Sequence, residues 1–153
     1  MQHALRPSYS GFQPAIHQQK DDVETLSADD VQLRSGESVK AGAELAAELG
    51  AEAMLFNCAA PEVMEAAIQV ATSVFAKLGK DIPVGVYANA FTASQQGAEE
   101  ANEVVSEIRA DLDPDAYGVW AQRWVQSGAR IVGGCCGIGT QHIHALSNKY
   151  LCK

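Results

Sequence analysis

Three parts of the sequence repeat one pattern, in which a helical segment ends at a glycine and a short apolar strand follows within a few residues. The helical segments end at Gly50, Gly79 and Gly128, and glycine readily closes a helix in the left-handed conformation. The strands that follow read AMLFN, IPVGVYA and RIVGG. Largely apolar strands that alternate with helices indicate a parallel α/β sheet covered on both faces.

The starts of the helices support this reading. The first helical pattern begins near Glu37, the second has Pro61 at its first position, and the third has Asp113 as a cap before Pro114. A last helix is predicted from Thr140 onwards. The chain therefore alternates helix and strand from about residue 36 to its end.

Two stretches do not follow the pattern. Residues 1–35 are rich in Gln, His, Ser, Pro and Asp without sustained periodicity, and we interpret them as a loop or the remnant of another element. The segment between Asn89 and Leu112 is a long polar connection, in a place where α/β enzymes often carry functional loops. We place the domain boundary at residues 35 and 36, with 36–153 as the α/β unit.

Charge and composition exclude several classes of partner. The net charge of −8 disfavours binding to nucleic acid or to an anionic membrane. The apolar runs are too short to span a bilayer, and the opening MQHALRPSYS lacks the apolar core of a signal peptide. We therefore expect a cytoplasmic protein, in which the four cysteines are free thiols, metal ligands or catalytic groups rather than disulfides.

Three of the cysteines follow strands of the predicted sheet. Cys58 comes directly after the first strand, and the adjacent Cys135 and Cys136 come directly after the third. Functional residues of parallel α/β folds gather at the carboxyl ends of the strands, so these thiols are expected on one edge of the sheet. Cys152 lies near the chain end, and we expect it to be incidental.

Three converging thiolates suit Zn²⁺, which binds sulfur and keeps a fourth position open in catalytic sites. Consecutive side chains of a strand point in opposite directions, and we expect the glycines of RIVGGCCGIGT to give the backbone the dihedral freedom that aims Cys135 and Cys136 at one ion. Taken alone, a cysteine such as Cys58 is most often a small core residue, and the glycine-rich turn could instead hold a phosphate. The glycine spacing does not match a dinucleotide site, and we expect His142 and His144 to be exposed to solvent.

The segments LFNCAAPEVM and ARIVGGCCGIGTQHIHAL resemble the C-terminal part of the homocysteine S-methyltransferase family, with LRSGES and VYAN extending the resemblance over about residues 32–150. In that family an Asn-Cys pair and a later Gly-Gly-Cys-Cys supply three zinc thiolates. The resemblance implies Cys58, Cys135 and Cys136 as zinc ligands. It also implies Asn57 and Asn89 as residues that line the substrate pocket, although amides that cap loops would look the same.

The resemblance implies the fold of a TIM barrel, which has eight strands and usually about 250 residues. The sequence has three firm strands, which would be the sixth to eighth, so we expect the C-terminal portion of a barrel that is incomplete. The residues that hold the amino acid in the family lie mostly in the N-terminal half. An open sheet of this kind leaves edges and an apolar face uncovered, and we expect self-association or pairing with a separate N-terminal half.

The function implied by the resemblance is zinc-dependent transfer of a methyl group to the thiol of homocysteine, which gives methionine. The donor would be a sulfonium compound such as S-methylmethionine or S-adenosylmethionine. Two alternatives stay open: a zinc-binding module without catalysis, and the homocysteine-binding part of a betaine- or folate-dependent methyltransferase.

Overall fold

The computed structural model describes residues 31–91 and 108–150 of the 153-residue chain. Helices and strands alternate along these residues: α1 (Val39–Glu48), β1 (Met54–Asn57), α2 (Pro61–Lys77), β2 (Val84–Tyr87), α3 (Pro114–Gln126), β3 (Ile131–Val132) and α4 (Thr140–Ala145), followed by a π-helical segment (Leu146–Tyr150). The predicted order of elements is confirmed. The strands are shorter than the apolar runs that predicted them, and β3 has only two residues.

The strands form one parallel sheet in the order β1-β2-β3. Phe56 of β1 lies opposite Val86 of β2, which in turn lies opposite Val132 of β3. Within the described residues the sheet is open rather than closed into a cylinder. The fold is therefore α/β, as predicted, and is consistent with part of a TIM barrel.

Local sequence explains where the helices begin and end. The hydroxyl of Ser38 accepts the backbone N–H of Ala41 and caps α1, and the carboxylate of Asp113 accepts two backbone N–H groups at the start of α3. Prolines occupy the first positions of α2 and α3, where a missing N–H costs nothing. The glycines that follow α1, α2 and α3 all have positive φ, as their positions in the sequence predicted.

The core lies between the helices and one face of the sheet. Met54 and Phe56 of β1 are buried and belong to it, together with Val86 of β2 and the fully buried Trp124 of α3. The alternation of buried and half-buried residues along β1 shows that its other face is less covered. The sequence predicted that both faces of the sheet are covered. The described residues cover one face, and they cover the other only partly.

On the second face of the sheet, side chains of the two outer strands approach Gly85 of β2 closely. Leu55 and Ile131 flank Gly85, and a Cβ on Gly85 would lie 2.6 Å from the Leu55 side chain and 2.8 Å from that of Ile131. These two side chains are half-buried and lie outside the core cluster. In a complete barrel this face would be the interior.

The segment before α1 joins the same core. Val31 and Leu33 are each 2% exposed, and the carbonyl oxygen of Val31 accepts the backbone N–H of Val39. The domain boundary at residues 35 and 36 stays a prediction, as does the assignment of residues 1–35 as a loop or remnant. Residues 1–30 lie outside the described residues. Most of the predicted polar connection, residues 92–107, also lies outside them.

Over residues 31–91 and 108–150, none of the helices has both the length and the apolar character needed to cross a bilayer.

Candidate metal centre

Three cysteine side chains meet at the carboxyl end of the sheet. The Sγ atoms of Cys58, Cys135 and Cys136 all lie within 4.8 Å of one another. The Sγ of Cys136 lies 3.8 Å from that of Cys58 and 3.7 Å from that of Cys135. These separations are far longer than a disulfide bond, and the three cysteines are free thiols.

Backbone hydrogen bonds extend the sheet past the ends of its strands and hold the three loops together. The N–H of Cys58 donates to the carbonyl oxygen of Tyr87, and the N–H of Cys135 donates to that of Ala88, both at 2.9 Å. The carbonyl oxygen of Cys136 accepts the N–H of Ala90, also at 2.9 Å. All three cysteines are therefore anchored either to the last residue of β2, the central strand, or to the segment that follows it.

Cys58 has an uncommon backbone conformation. Its φ of 56° makes it the one residue other than glycine with positive φ among the described residues. The side-chain amide of Asn89 donates to the Cys58 carbonyl oxygen at 2.9 Å and lies 3.8 Å from its Sγ. The left-handed turn at Cys58 is thus held by a side chain from the loop after β2.

The glycines around Cys135 and Cys136 act mainly by allowing close approach, which corrects the expectation that all of them supply unusual dihedrals. Within this turn, Gly137 alone among the glycines has positive φ, at 79°. A Cβ on Gly133 would lie 2.3 Å from the Tyr87 ring, and one on Gly134 would lie 2.2 Å from the Ile138 side chain. The Tyr87 and Ile138 side chains therefore occupy the space that larger residues would need.

Electrostatics favour the neutral form of the Cys135 thiol. Burial, followed by hydrogen bonding to Cys58, raises the pKa of the Cys135 thiol to about 12. Cys58 and Cys135 are half-buried, whereas Cys136 is exposed. A cation that binds here would displace thiol protons, because metal ligation requires the thiolate form.

The cluster fits zinc by its spacing and its donor atoms. With Zn–S bonds of about 2.3 Å, tetrahedral geometry places two sulfur ligands about 3.8 Å apart. The 3.7 and 3.8 Å separations around Cys136 match that edge. Three sulfur donors and one exposed side are the features of a zinc site that keeps a position open for substrate.

The two asparagines implied by the resemblance lie beside this cluster. Asn57 is the last residue of β1 and directly precedes Cys58. Asn89 follows β2, and besides its bond to Cys58 its Oδ1 accepts the backbone N–H of Phe91 at 3.2 Å. Asn89 thus has the contacts of an amide that braces two loops, and a role for either residue in binding substrate stays a prediction.

The expectation for the two histidines is half right. His144 is exposed, but His142 is half-buried. One ring nitrogen of His142 lies 2.9 Å from the Leu112 carbonyl oxygen, and the other accepts the backbone N–H of Gly139 at 3.2 Å. Helical spacing could not predict the burial of His142, because Leu112 lies 30 residues earlier in the chain.

Arg109, at the end of the polar connection, was not predicted from the sequence as a residue near the site. Its backbone N–H donates to the Ala90 carbonyl oxygen, and its guanidinium pairs with Glu62 and Asp111, each at 2.7 Å. The hydrogen bond from Arg109 holds the pKa of the Asp111 carboxyl below its usual value. Arg109 therefore links the loop after β2 to the first turn of α2. Nothing in the spacing of charges along the sequence indicated this.

The fold and the cluster define a class of protein: a parallel α/β unit with a cluster of three thiols at the carboxyl ends of its strands. Among models of known protein families, the model for homocysteine S-methyltransferase matches residues 19–150 of the chain. The chain belongs to this family, and the family resemblance predicted from the sequence is confirmed. A comparison with curated proteins found no match. Cys152, expected to take no part, lies outside the described residues.

Proposed function

We propose that the chain carries the zinc centre of an enzyme that transfers a methyl group from a sulfonium donor to homocysteine, giving methionine. S-methylmethionine and S-adenosylmethionine are the donors we expect, and the cytoplasm is the expected location. The observation that carries the proposal is the convergence of Cys58, Cys135 and Cys136 within 4.8 Å in a chain of this family.

The chemistry needs a nucleophilic sulfur. The homocysteine sulfur forms a bond to the methyl carbon, and the bond from that carbon to the donor sulfonium breaks. The electron pair of the broken bond stays on the donor sulfur, and the homocysteine thiol proton is lost. Zinc, when bound, supplies positive charge that favours the thiolate over the thiol and orients it.

The residues of this chain hold and orient the site. Cys58, Cys135 and Cys136 are the proposed ligands, and the exposed side of Cys136 leaves the approach to the cluster open. Asn89 braces Cys58, and Asn57 lies next to it, where both can contact the amino acid. Placing the methyl carbon in line with the attacking sulfur can account for several kcal/mol of the barrier.

Homocysteine binding provides the first test, since it does not require turnover. The chain is loaded with one equivalent of zinc, and its X-ray absorption spectrum is recorded with and without homocysteine. We expect the zinc shell to change from three sulfur neighbours to four, with loss of an oxygen or nitrogen neighbour and release of a proton. An unchanged shell at saturating homocysteine would argue against direct coordination.

Donor specificity separates the proposal from its alternatives. Methionine formation is assayed with S-methylmethionine, S-adenosylmethionine, betaine and a methylated folate, each with a separately supplied N-terminal half from a related full-length enzyme. Turnover with a sulfonium donor supports the proposal, and turnover with betaine or folate alone would redirect it. Zinc binding without turnover in any mixture would favour a non-catalytic module.

A further inference from the structure

Tyr117, on the buried side of α3, reaches the strand ends that precede the thiol cluster. The side chain is fully buried, and its hydroxyl lies 2.7 Å from the carbonyl oxygen of Gly133 and 3.3 Å from that of Ala88. The ring packs edge-on against Trp124, with centroids 5.4 Å apart, and against His142, at 5.8 Å. The hydroxyl is thereby held at one place in the core.

Both carbonyl oxygens belong to the backbone that fixes Cys135. Ala88 accepts the Cys135 N–H at 2.9 Å, and Gly133 lies two residues before Cys135 on the same chain segment. Gly133 is itself tied to β2, because its N–H donates to the Val86 carbonyl oxygen at 2.9 Å. The Tyr117 hydroxyl thus joins the ends of β2 and β3 at the last point before the sulfur ligands.

We propose that Tyr117 is a positioning residue, whose hydroxyl fixes the ends of β2 and β3 and so the placement of Cys135 in the thiol cluster. The inference deepens the proposed function and rests on it where it concerns zinc. Tyr117 itself is neither ligand nor catalyst, since its hydroxyl contacts backbone carbonyl oxygens. Its ring packs the core, and its hydroxyl aligns the two loops.

The substitution Tyr117→Phe separates these two roles, because it keeps the ring and removes the hydroxyl. Tyr150→Phe is the matched control: Tyr150 packs against Gly118 of the same helix, and its hydroxyl donates to Asp115 at the exposed surface. Both variants lose one tyrosine hydroxyl, but Tyr117 alone of the two contacts the strand ends. Circular dichroism and thermal unfolding establish that each variant is folded at the temperature used.

The first readout is amide hydrogen exchange at Cys135 in the metal-free chain, measured by NMR. Loss of the Tyr117 hydroxyl should weaken the hydrogen bond from the Cys135 N–H to the Ala88 carbonyl oxygen. We therefore expect the Cys135 amide to exchange about 5- to 30-fold faster in Tyr117→Phe than in the parent. The second readout is zinc affinity from competition with a chelator. We expect it to fall about 10- to 100-fold, the usual effect of disturbing groups behind the ligands. The Co²⁺-substituted chain should also show a shifted sulfur-to-metal absorption band.

Tyr150→Phe should leave all three measurements at parental values. The inference is overturned if Tyr117→Phe matches this control in exchange and in affinity, or if the Cys135 amide of the parent exchanges at the rate of an unstructured chain. If exchange is faster in Tyr117→Phe but the parent does not bind zinc, the positioning role is upheld and the proposed function is refuted. Stoichiometric zinc, with both exchange and zinc affinity unchanged in Tyr117→Phe, would refute the positioning role and leave the proposed function standing.

Discussion

The side-chain amide of Asn89 donates a hydrogen bond to the backbone carbonyl oxygen of Cys58, 2.9 Å away and 31 residues earlier in the chain. The same nitrogen lies 3.8 Å from the Cys58 Sγ. Because Cys58 has a φ of 56°, which residues with a Cβ rarely adopt, this contact stabilises a conformation that the backbone alone disfavours. One residue of the loop after β2 thus controls the direction of a thiol from the loop after β1.

Removing this amide should affect metal binding more than folding. For Asn89→Ala we expect a loss of about 1 kcal/mol in the free energy of unfolding and a zinc affinity about tenfold weaker. Denaturant unfolding and chelator competition measure the two effects. Asn148→Ala, at an exposed position in the π-helical segment, is the matched control and should change neither. Parental zinc affinity in Asn89→Ala would show that Cys58 needs no brace.

Zinc should bind at one ion per chain through Cys58, Cys135 and Cys136. Each Cys→Ser change at these positions should lower the zinc content of protein purified without chelators, since a hydroxyl is a poor replacement for a thiolate. Cys152→Ser should keep full zinc content. Elemental analysis provides the measurement, and stoichiometric zinc in the Cys135→Ser, Cys136→Ser double variant would remove the assignment.

Two glycines of the same turn should differ in their tolerance of alanine. Gly137 has φ of 79°, and a Cβ there would lie 3.0 Å from the Cβ of Ala90, so Gly137→Ala should cost about 1–2 kcal/mol of unfolding free energy. Gly139 has φ of −99° and no atom within 4 Å of an added Cβ. Gly139→Ala should therefore lower the unfolding free energy by about a few tenths of a kcal/mol or less. Chemical denaturation of both variants tests this, and equal losses would contradict it.

Alkaline conditions should destabilise the chain partly through Tyr117. Burial raises the pKa of its hydroxyl well above the ordinary value of 10.0. The raised folded-state pKa means that its contribution is fully present below about pH 10 and is lost as the pH rises further, because the unfolded chain ionises first. The unfolding free energy of the parent should therefore fall more steeply above pH 10 than that of Tyr117→Phe, by at most about 1.4 kcal/mol per pH unit. Parallel pH profiles would contradict this.

The isolated 153-residue chain should show little or no methyl transfer even with zinc bound. Within residues 31–91 and 108–150, no strand faces the cluster from the opposite side of a closed barrel, so the donor lacks a wall to hold it in line. The half-buried face that contains Leu55 and Ile131 should also promote self-association. Methionine assays and analytical ultracentrifugation measure both effects. Robust turnover by a monodisperse monomer would overturn this prediction.

Much of the fold could be predicted from local signals. Gly50, Gly79 and Gly128 ended three helices as expected, and Asp113 capped α3, because caps and left-handed glycines depend on a few neighbouring residues. The cluster of Cys58, Cys135 and Cys136 could also be predicted. Parallel strands bring their carboxyl ends to one edge whatever their separation along the chain, so placing the cysteines after strands was enough.

Tertiary structure alone decided how the cysteines are oriented. The left-handed turn at Cys58, its brace by Asn89, and the contact of the Tyr117 hydroxyl with Gly133 join segments that are distant in sequence. The roles of Gly133 and Gly134 likewise depend on the Tyr87 ring and the Ile138 side chain above them. Residue type and periodicity determine which groups reach the edge of the sheet. The directions of their bonds depend on side chains that only packing brings together, and a sequence pattern does not encode that packing locally.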